Sequence, residues 1–350
     1  MASTHARREG SAVTVSGVSV ILPVFFRDER GGAALLRAAE SVMSQGRSIP
    51  VELIVVDDGS RPALSARAEL RSLFERPDVR LIPLVSNQGL VYALNAGLTQ
   101  SRHEWIARID HDDIWRPGKL RRQCECVAAD PDVTLVAGGM RLVHAADPSR
   151  DRDEPRGGDW RHAIEFAGKT GCPFPHGTIL ARKEVYSALG GYSHAPAFEH
   201  CEDYALWASW LRFFKVTVLD DVLMDYSVSE VQVSARYAKQ QADATDHVRG
   251  SFLELPKRMQ IPEAVKEVAR KLRVPLLEAS KMLCRVWRFY PDILAAPDLF
   301  DAATVLFPDR SVHRIEEASE LLTDRVFCLS AAPPDPKLVA QFRLLGQARA

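Results

Sequence analysis

Three groups of carboxylates stand out in this chain: Asp57-Asp58 followed by Gly59-Ser60, Asp110-His111-Asp112-Asp113, and Glu202-Asp203. Crowded carboxylates repel one another unless something positive neutralises them. A hard divalent cation does this, and Mg²⁺ or Mn²⁺ is commonly held by one or two carboxylates that share it with substrate phosphates. On an extended segment Asp110 and Asp112 point to the same side, so both address one ligand or one ion. The competing assignment is an acidic turn that caps a helix near 117–129. Asp57 and Asp58 are equally two-sided. Carboxylates at a strand end accept hydrogen bonds from ribose hydroxyls or a base N–H, and an Asp-Gly turn uses them to hold its own backbone. Glu202-Asp203, preceded by His200-Cys201, opens a strongly apolar helix. A carboxylate there is favoured by the helix dipole alone, or serves as a general base that takes the proton of an attacking hydroxyl.

The elements that must position these groups alternate in type. Runs rich in β-branched residues at 18–24, 51–56, 79–84 and 105–109 predict strands, and helices are expected over 33–45, 63–75 and 88–99. Strands alternating with helices of this length predict βαβ units and a mostly parallel central sheet, an α/β fold. Crossover handedness places the loops after successive strands at one edge of such a sheet, where ligands bind. The groups at 57–58 and 110–113 both end strands, so they are expected to meet at one cleft. Further on, a helix is expected over 119–129, a strand over 133–143, a long polar loop over 144–175, a short strand over 178–181 and a short helix over 183–189. A strong helix over 202–214 and strand segments at 216–219 and 222–226 follow, and the chain reads as helical from 237. The expected organisation is a disordered leader over 1–16, an α/β domain over 17–236 and a mainly helical C-terminal region over 237–350.

The 350 residues carry 45 Lys and Arg against 46 Asp and Glu, which argues against a nucleic-acid binder. No stretch reaches the roughly 18 uncharged apolar residues of a transmembrane helix, and the polar N-terminus lacks the apolar core of a secretory signal. The six cysteines form neither a disulfide framework nor a zinc pattern, so a cytoplasmic location is expected. No Walker A sequence is present, and no G-x-G-x-x-G follows a strand, which excludes a P-loop nucleotidase and a dinucleotide dehydrogenase.

One ordered set of segments carries more information than any part of it. The set runs through 18–24, Glu40-Ser-Val-Met-Ser-Gln45, Leu53-Ile-Val-Val-Asp-Asp-Gly-Ser60, and Asn87-Gln-Gly-Leu90 with Ala93-Leu-Asn-Ala-Gly-Leu98. It continues through Ala107-Arg-Ile-Asp-His-Asp-Asp-Ile114 with Pro117, His176-Gly-Thr178, Leu189-Gly-Gly-Tyr192 and Glu202-Asp-Tyr-Ala-Leu-Trp207. In this order the segments resemble the GT-A fold of family 2 inverting glycosyltransferases over about residues 17–230. The C-terminal hundred or so residues are not covered.

The resemblance implies roles at matching positions. Asp57 and Asp58 take the uracil and ribose side of a nucleotide, with Pro23 and Val24 lining the pocket and Asn87 and Gly89 in the same nucleotide-sugar set. Asp110 and Asp112 are the Asp-x-Asp that engages the ribose and a divalent metal, Mg²⁺ or Mn²⁺, on the diphosphate. Asp112 is the preferred metal ligand and Asp113 a substitute; Asp203 is the general base, with Glu202 beside it. The residue between the two aspartates is usually small in the family, and here it is His111, either an added ligand or a solvent-facing ring. Arg108 touches the nucleotide or balances the acids, His176 lines the acceptor side or is structural, and Ser234 and Arg236 approach the diphosphate.

The implied reaction moves a sugar, with inversion, from a nucleotide-diphospho-sugar, UDP-linked by expectation. The acceptor hydroxyl belongs to a glycan, a lipid-linked molecule or a small molecule, in surface polysaccharide, lipopolysaccharide or other glycoconjugate synthesis. Over 257–290, nine Lys or Arg against three Glu fit either peripheral contact with the inner face of a membrane or a solvated helical face. The competing functions are a degenerate, non-catalytic nucleotide-sugar-binding scaffold, a sugar nucleotidyltransferase and an aspartyl-phosphate phosphatase.

Overall fold

Strand β1 (Val18–Val24) is buried along its whole length, as is β2 (Val51–Asp57) beside it. A strand with no polar face requires cover on both sides of the sheet. The polar Ser19 is accommodated by donating to Glu52 Oε1 at 2.6 Å, and Glu52 also accepts from the Arg102 N–H at 2.6 Å. The structure is a computed structural model that describes residues 14–47, 49–228, 237–253, 265–266, 269–270, 274–289, 304–306 and 312–314.

The other strands of the main sheet are β3 (Val79–Pro83), β4 (Trp105–Arg108), β5 (Ile114–Trp115), β6 (Leu135–His144), β7 (Arg152–Glu154), β8 (Leu180–Arg182) and β9 (Val216–Val228). Their order is β3-β2-β1-β4-β8-β6-β9-β5, with β7 on β6. The block β3-β2-β1-β4 is parallel, β8 runs antiparallel to β4 and β6, and β9 is parallel to β6. Alternate residues feed two cores. Ile21, Ile54 and Val56 enter one; Val20, Leu22, Leu53 and Val55 enter the other. Each such side chain contributes about 1.5–3 kcal/mol when fully buried.

The helices are α1 (Gly32–Met43), α2 (Arg71–Phe74), α3 (Leu90–Gln100), α4 (Lys119–Ala129), α5 (Trp160–Lys169), α6 (Lys183–Leu189), α7 (Glu202–Phe213), α8 (Ala238–Leu253) and α9 (Leu276–Phe289). Helix α3 lies against β1 and β2. In α7, Trp207 and Trp210 are fully buried. Helix α8 packs on α5 and α7, and α9 on α6 and α7, so Val248, Ala279 and Cys284 share the core that holds Ile21.

Three sequence expectations change. Residues 63–75 form two 3₁₀ turns and the single-turn α2. Asp57 takes the Leu64 N–H, and the Arg67 guanidinium donates to the carbonyls of Asp28 and Glu29, pulling the segment out of a regular helix. The expected loop over 144–175 contains β7 and α5. Asp159 caps α5 by accepting from the His162 N–H at 2.9 Å, and the Trp160 indole donates to Leu211 O at 2.7 Å. Apart from Trp160, the buried face of α5 is made of small residues, Ala163, Ala167 and Gly168, a weak sequence signal. The two segments at 216–219 and 222–226 are one strand, β9, which crosses register irregularities opposite Gly139 of β6.

The C-terminal region also holds an antiparallel pair, β10 (Thr304–Leu306) and β11 (Val312–Arg314). Ser234, Arg236, much of the basic stretch over 257–290 and the expected leader up to residue 13 lie outside the described residues. Within that basic stretch, Lys281 is bound to Glu184 at 2.6 Å and to Glu278 at 3.0 Å. No helix among the described residues is long and apolar enough to cross a membrane.

Candidate active site

The strand order reverses between β1 and β4: the chain steps from β1 to β2 to β3 on one side and places β4 on the other. At such a switch point the loops leaving the two strands diverge and open a crevice beyond their carboxyl ends. Pro23 and Val24, both buried, end β1 on one side of it. Arg108 ends β4 on the other, and the Ile109 N–H continues the ladder to Ile21 O at 3.1 Å.

Asp57 and Asp58 stand at the end of β2, one strand further out. Asp57 accepts from the N–H groups of Ser60 and Leu64 at 2.8 and 2.9 Å. Asp58 accepts from those of Gln88 and Gly89 at 2.7 and 2.9 Å, which ties β2 to the entry of α3. Burial pushes the Asp58 carboxyl up, the two N–H donors pull it back, and the Asp57 charge adds to the rise. Gly59, at φ 75°, permits this junction, because a Cβ there would stand 2.6 Å from the Asn87 nitrogen. The turn-holding role of these aspartates is therefore realised in the structure, and Asn87 lies exposed beside them.

Arg108 is the hub of the other two groups. It is buried, and it grips Asp110 with two bonds, Nη1 to Oδ2 at 2.6 Å and Nη2 to Oδ1 at 2.7 Å. Burial alone would lower the Arg108 pKa; Asp110 overrides it and holds the guanidinium charged. The Arg108 charge also acts on Asp112, Asp113, Glu202 and Asp203. The Glu202–Asp203 pair, distant in sequence, thus lies within electrostatic reach of the guanidinium that Asp110 binds directly. His111 is half-buried, edge-on to Phe26 with ring centroids 5.0 Å apart.

Burial raises Asp112 and Asp113, and Asp110 raises them further. Asp113 is held by the Ser227 N–H on Oδ1 at 3.0 Å, while its Oδ2 is buried without a hydrogen-bond partner. Ser227 Oγ also donates to the Asp112 carbonyl, so the end of β9 fastens this turn.

Glu202 and Asp203 form the first turn of α7. Burial and then the Asp203 charge push Glu202 to about 7. Asp203 is also raised by burial, partly offset by the Tyr204 N–H it accepts at 2.6 Å. Its other oxygen lies 4.0 Å from Cys172 Sγ. His176 is buried, 2.6 Å from the Tyr192 hydroxyl, and burial plus the nearby Arg108 hold it neutral. Asn95 of α3 clamps Tyr192 through both amide atoms, at 2.9 Å each, and Gly191 at φ 76° brings the chain this close.

These residues fit a hard divalent cation. Asp113 Oδ2 is buried without a hydrogen-bond partner, and with Asp110 and Asp112 on the same turn the group offers the carboxylate oxygens that a hard divalent cation takes. Among the described residues no cluster of three or more His, Cys, Asp or Glu could cage a metal unaided, so phosphate oxygens of a ligand would complete the shell.

Residues 19–190 match the family model described as Glycosyl transferase family 2. Over 263 residues the chain is 30% identical to the putative glycosyltransferase EpsE of Bacillus subtilis, covering 74% of this chain and 84% of that one. The chain belongs to glycosyl transferase family 2.

This family 2 glycosyltransferase is also 24% identical over 243 residues to the UDP-Gal:alpha-D-GlcNAc-diphosphoundecaprenol beta-1,3-galactosyltransferase of Escherichia coli, covering 68% of this chain and 80% of that one. A solved structure, that of S. aureus TarS 1–349 in complex with UDP, aligns at a TM-score of 0.49 and 14% identity over 85% of this chain and 96% of that one. The α/β architecture is that of the structure itself, and the transferase class implied by the ordered motifs holds for the chain through its family. Membership sets aside the phosphatase and nucleotidyltransferase alternatives. Two residues of the site carried no role in the sequence reading. Tyr192 was signalled only by the Gly-Gly pair before it, and Ser227 by nothing local, since the fold alone brings the end of β9 to the Asp112–Asp113 turn.

Proposed function

We propose that this glycosyltransferase moves a sugar, with inversion and with Mg²⁺ or Mn²⁺, from a UDP-linked donor to a hydroxyl of a glycan or lipid-linked acceptor in surface-glycan synthesis. The observation that carries the proposal is that Arg108, bound directly to Asp110, also supplies counter-charge to Glu202 and Asp203. One group suits the donor's diphosphate end and the other suits the acceptor. The name of the Escherichia coli relative, which specifies a UDP-sugar donor and a lipid-diphosphate acceptor, supports the same classes here.

Asp203 takes the proton of the acceptor hydroxyl as that oxygen attacks the anomeric carbon. Burial raises its pKa, which makes it a stronger base than an ordinary carboxylate, and the Arg108 charge works against that rise. Glu202 beside it sets the local charge. One base and one displacement suffice, with no protein nucleophile. Asp112, with Asp113 behind it, would hold the divalent cation, which when bound neutralises the charge that builds on the departing diphosphate. Pro23, Val24, Asp57, Asp58, Asn87 and Gly89 frame the nucleotide end, and His176, held neutral by burial and bonded to the Tyr192 hydroxyl, adds no second positive charge near Arg108.

A thermal-shift screen of UDP-sugars with and without Mn²⁺ tests the reading. Ligand at a hundredfold excess over Kd adds about 2.7 kcal/mol of stability, so Tm should rise by several degrees. No rise with any UDP-sugar would refute the donor class. A lipid-linked acceptor would bring the enzyme to the inner membrane face, with the basic side chains over 257–290 toward anionic headgroups. Full retention in the supernatant after sedimentation with anionic vesicles would refute that contact.

A further inference from the structure

His200 is the sole non-glycine residue with positive φ among the described residues, at 62°. It stands three positions before Asp203. L-residues with a Cβ rarely adopt this conformation, and where they do the surrounding structure must hold them. Its half-buried ring lies flat on Tyr237, with centroids 4.1 Å apart and planes within 17°.

Attachment of the loop to α8 does not explain the unusual backbone. Phe198 meets His247 of α8 at 5.8 Å, and Cys201 Sγ meets Thr245 Oγ1 at 3.5 Å, so contacts on either side of His200 already fasten the loop. What the αL backbone adds is the placement of one more ring, stacked and partly open to solvent, just ahead of the base. Flat aromatic faces pack against the C–H face of a sugar ring, and two stacked rings are pre-ordered, so little side-chain freedom is lost on binding. Where the acceptor is a sugar, the hydroxyl that Asp203 deprotonates belongs to a ring held near the first turn of α7.

We propose that His200 and Tyr237 form a platform for the pyranose ring of the acceptor. This rests on the reading of Asp203 as the base. The platform selects acceptors with an unsubstituted apolar ring face and sets which hydroxyl points at Asp203.

Methyl glycopyranosides of glucose, galactose and N-acetylglucosamine would be titrated into the full chain, with and without UDP, and read by saturation-transfer NMR from aromatic protons. At least one glycoside should bind. Its Kd should rise about tenfold in Tyr237→Ala and in His200→Asn, whose side chain tolerates positive φ, and should stay near wild type in Tyr237→Phe, which keeps the ring. The rise in Tm on adding UDP should be the same in all three variants, which separates loss of the platform from loss of fold. Equal glycoside affinity in wild type, Tyr237→Ala and His200→Asn, or no glycoside receiving signal from aromatic protons, would overturn the platform. Failure of UDP to stabilise the wild type would instead count against the donor reading, and full transfer activity in Asp203→Asn against the base, whatever the glycosides do.

Discussion

Replacing Arg108 with Met keeps the aliphatic volume of the side chain and removes the charge on which both acidic groups depend. Asp110 would lose two short bonds, at 2.6 and 2.7 Å. Removing one partner of a fully buried pair costs about 3–5 kcal/mol. The Asp110 side chain is 33% exposed and regains some water, so about 2–3 kcal/mol is expected. For a chain of this size that corresponds to a fall in Tm of about 3–4 °C by differential scanning calorimetry. The kinetic effect has a sign as well. Arg108 lowers the pKa values of Glu202 and Asp203 against the burial that raises them. Without it both rise further, so the acidic limb of the pH–rate profile should move to higher pH. A Tm within 1 °C of wild type, together with an unmoved acidic limb, would refute the placement of Arg108 as the common counter-charge.

Asp203→Asn should reduce transfer by about 10²–10⁴-fold while UDP still raises Tm; an assay of UDP release with acceptor present decides it. Glu202→Gln should stabilise the protein at pH 8 and not at pH 4. The folded-state pKa of Glu202 is raised from 4.5 to about 7, so the native state holds its proton more tightly than the unfolded chain does, and stability falls as pH rises through that window. The gain at pH 8 is on the order of 2–3 kcal/mol, measured by urea denaturation at both pH values, and an equal effect at the two would contradict the shift. Asp58→Ala removes the acceptor for two backbone N–H groups at a partly solvated turn. A loss of about 1–3 kcal/mol and weaker UDP binding in calorimetry are expected; unchanged values for both would remove Asp58 from the nucleotide end.

Strands β1, β2 and β4 were legible in the sequence because a strand covered on both faces must be a largely apolar run, visible without any partner, and the half-buried edge strand β3 was legible from its Val, Leu and Ile. The carboxylate groups at their ends were legible for the same reason, since Asp57-Asp58 and Asp110–Asp113 interrupt those runs abruptly. Helix α5 was not, because beyond Trp160 its buried residues are the small Ala163, Ala167 and Gly168, and its place is set by α7 and α8 packed against it. The splitting of 63–75 into short turns was also hidden, since the side chains responsible belong to Asp57 and Arg67 acting across the fold.

The sequence by itself determined the α/β alternation, the edge of the sheet at which acids gather and the types of residue available there. Those follow from local periodicity and side-chain chemistry. Only the tertiary structure decided that Arg108 sits between the two acidic groups, that Ser227 fastens the Asp112–Asp113 turn and that His200 stacks on Tyr237. Contacts between residues far apart in the chain depend on how strands are ordered and how helices return, and no short window of sequence carries that information.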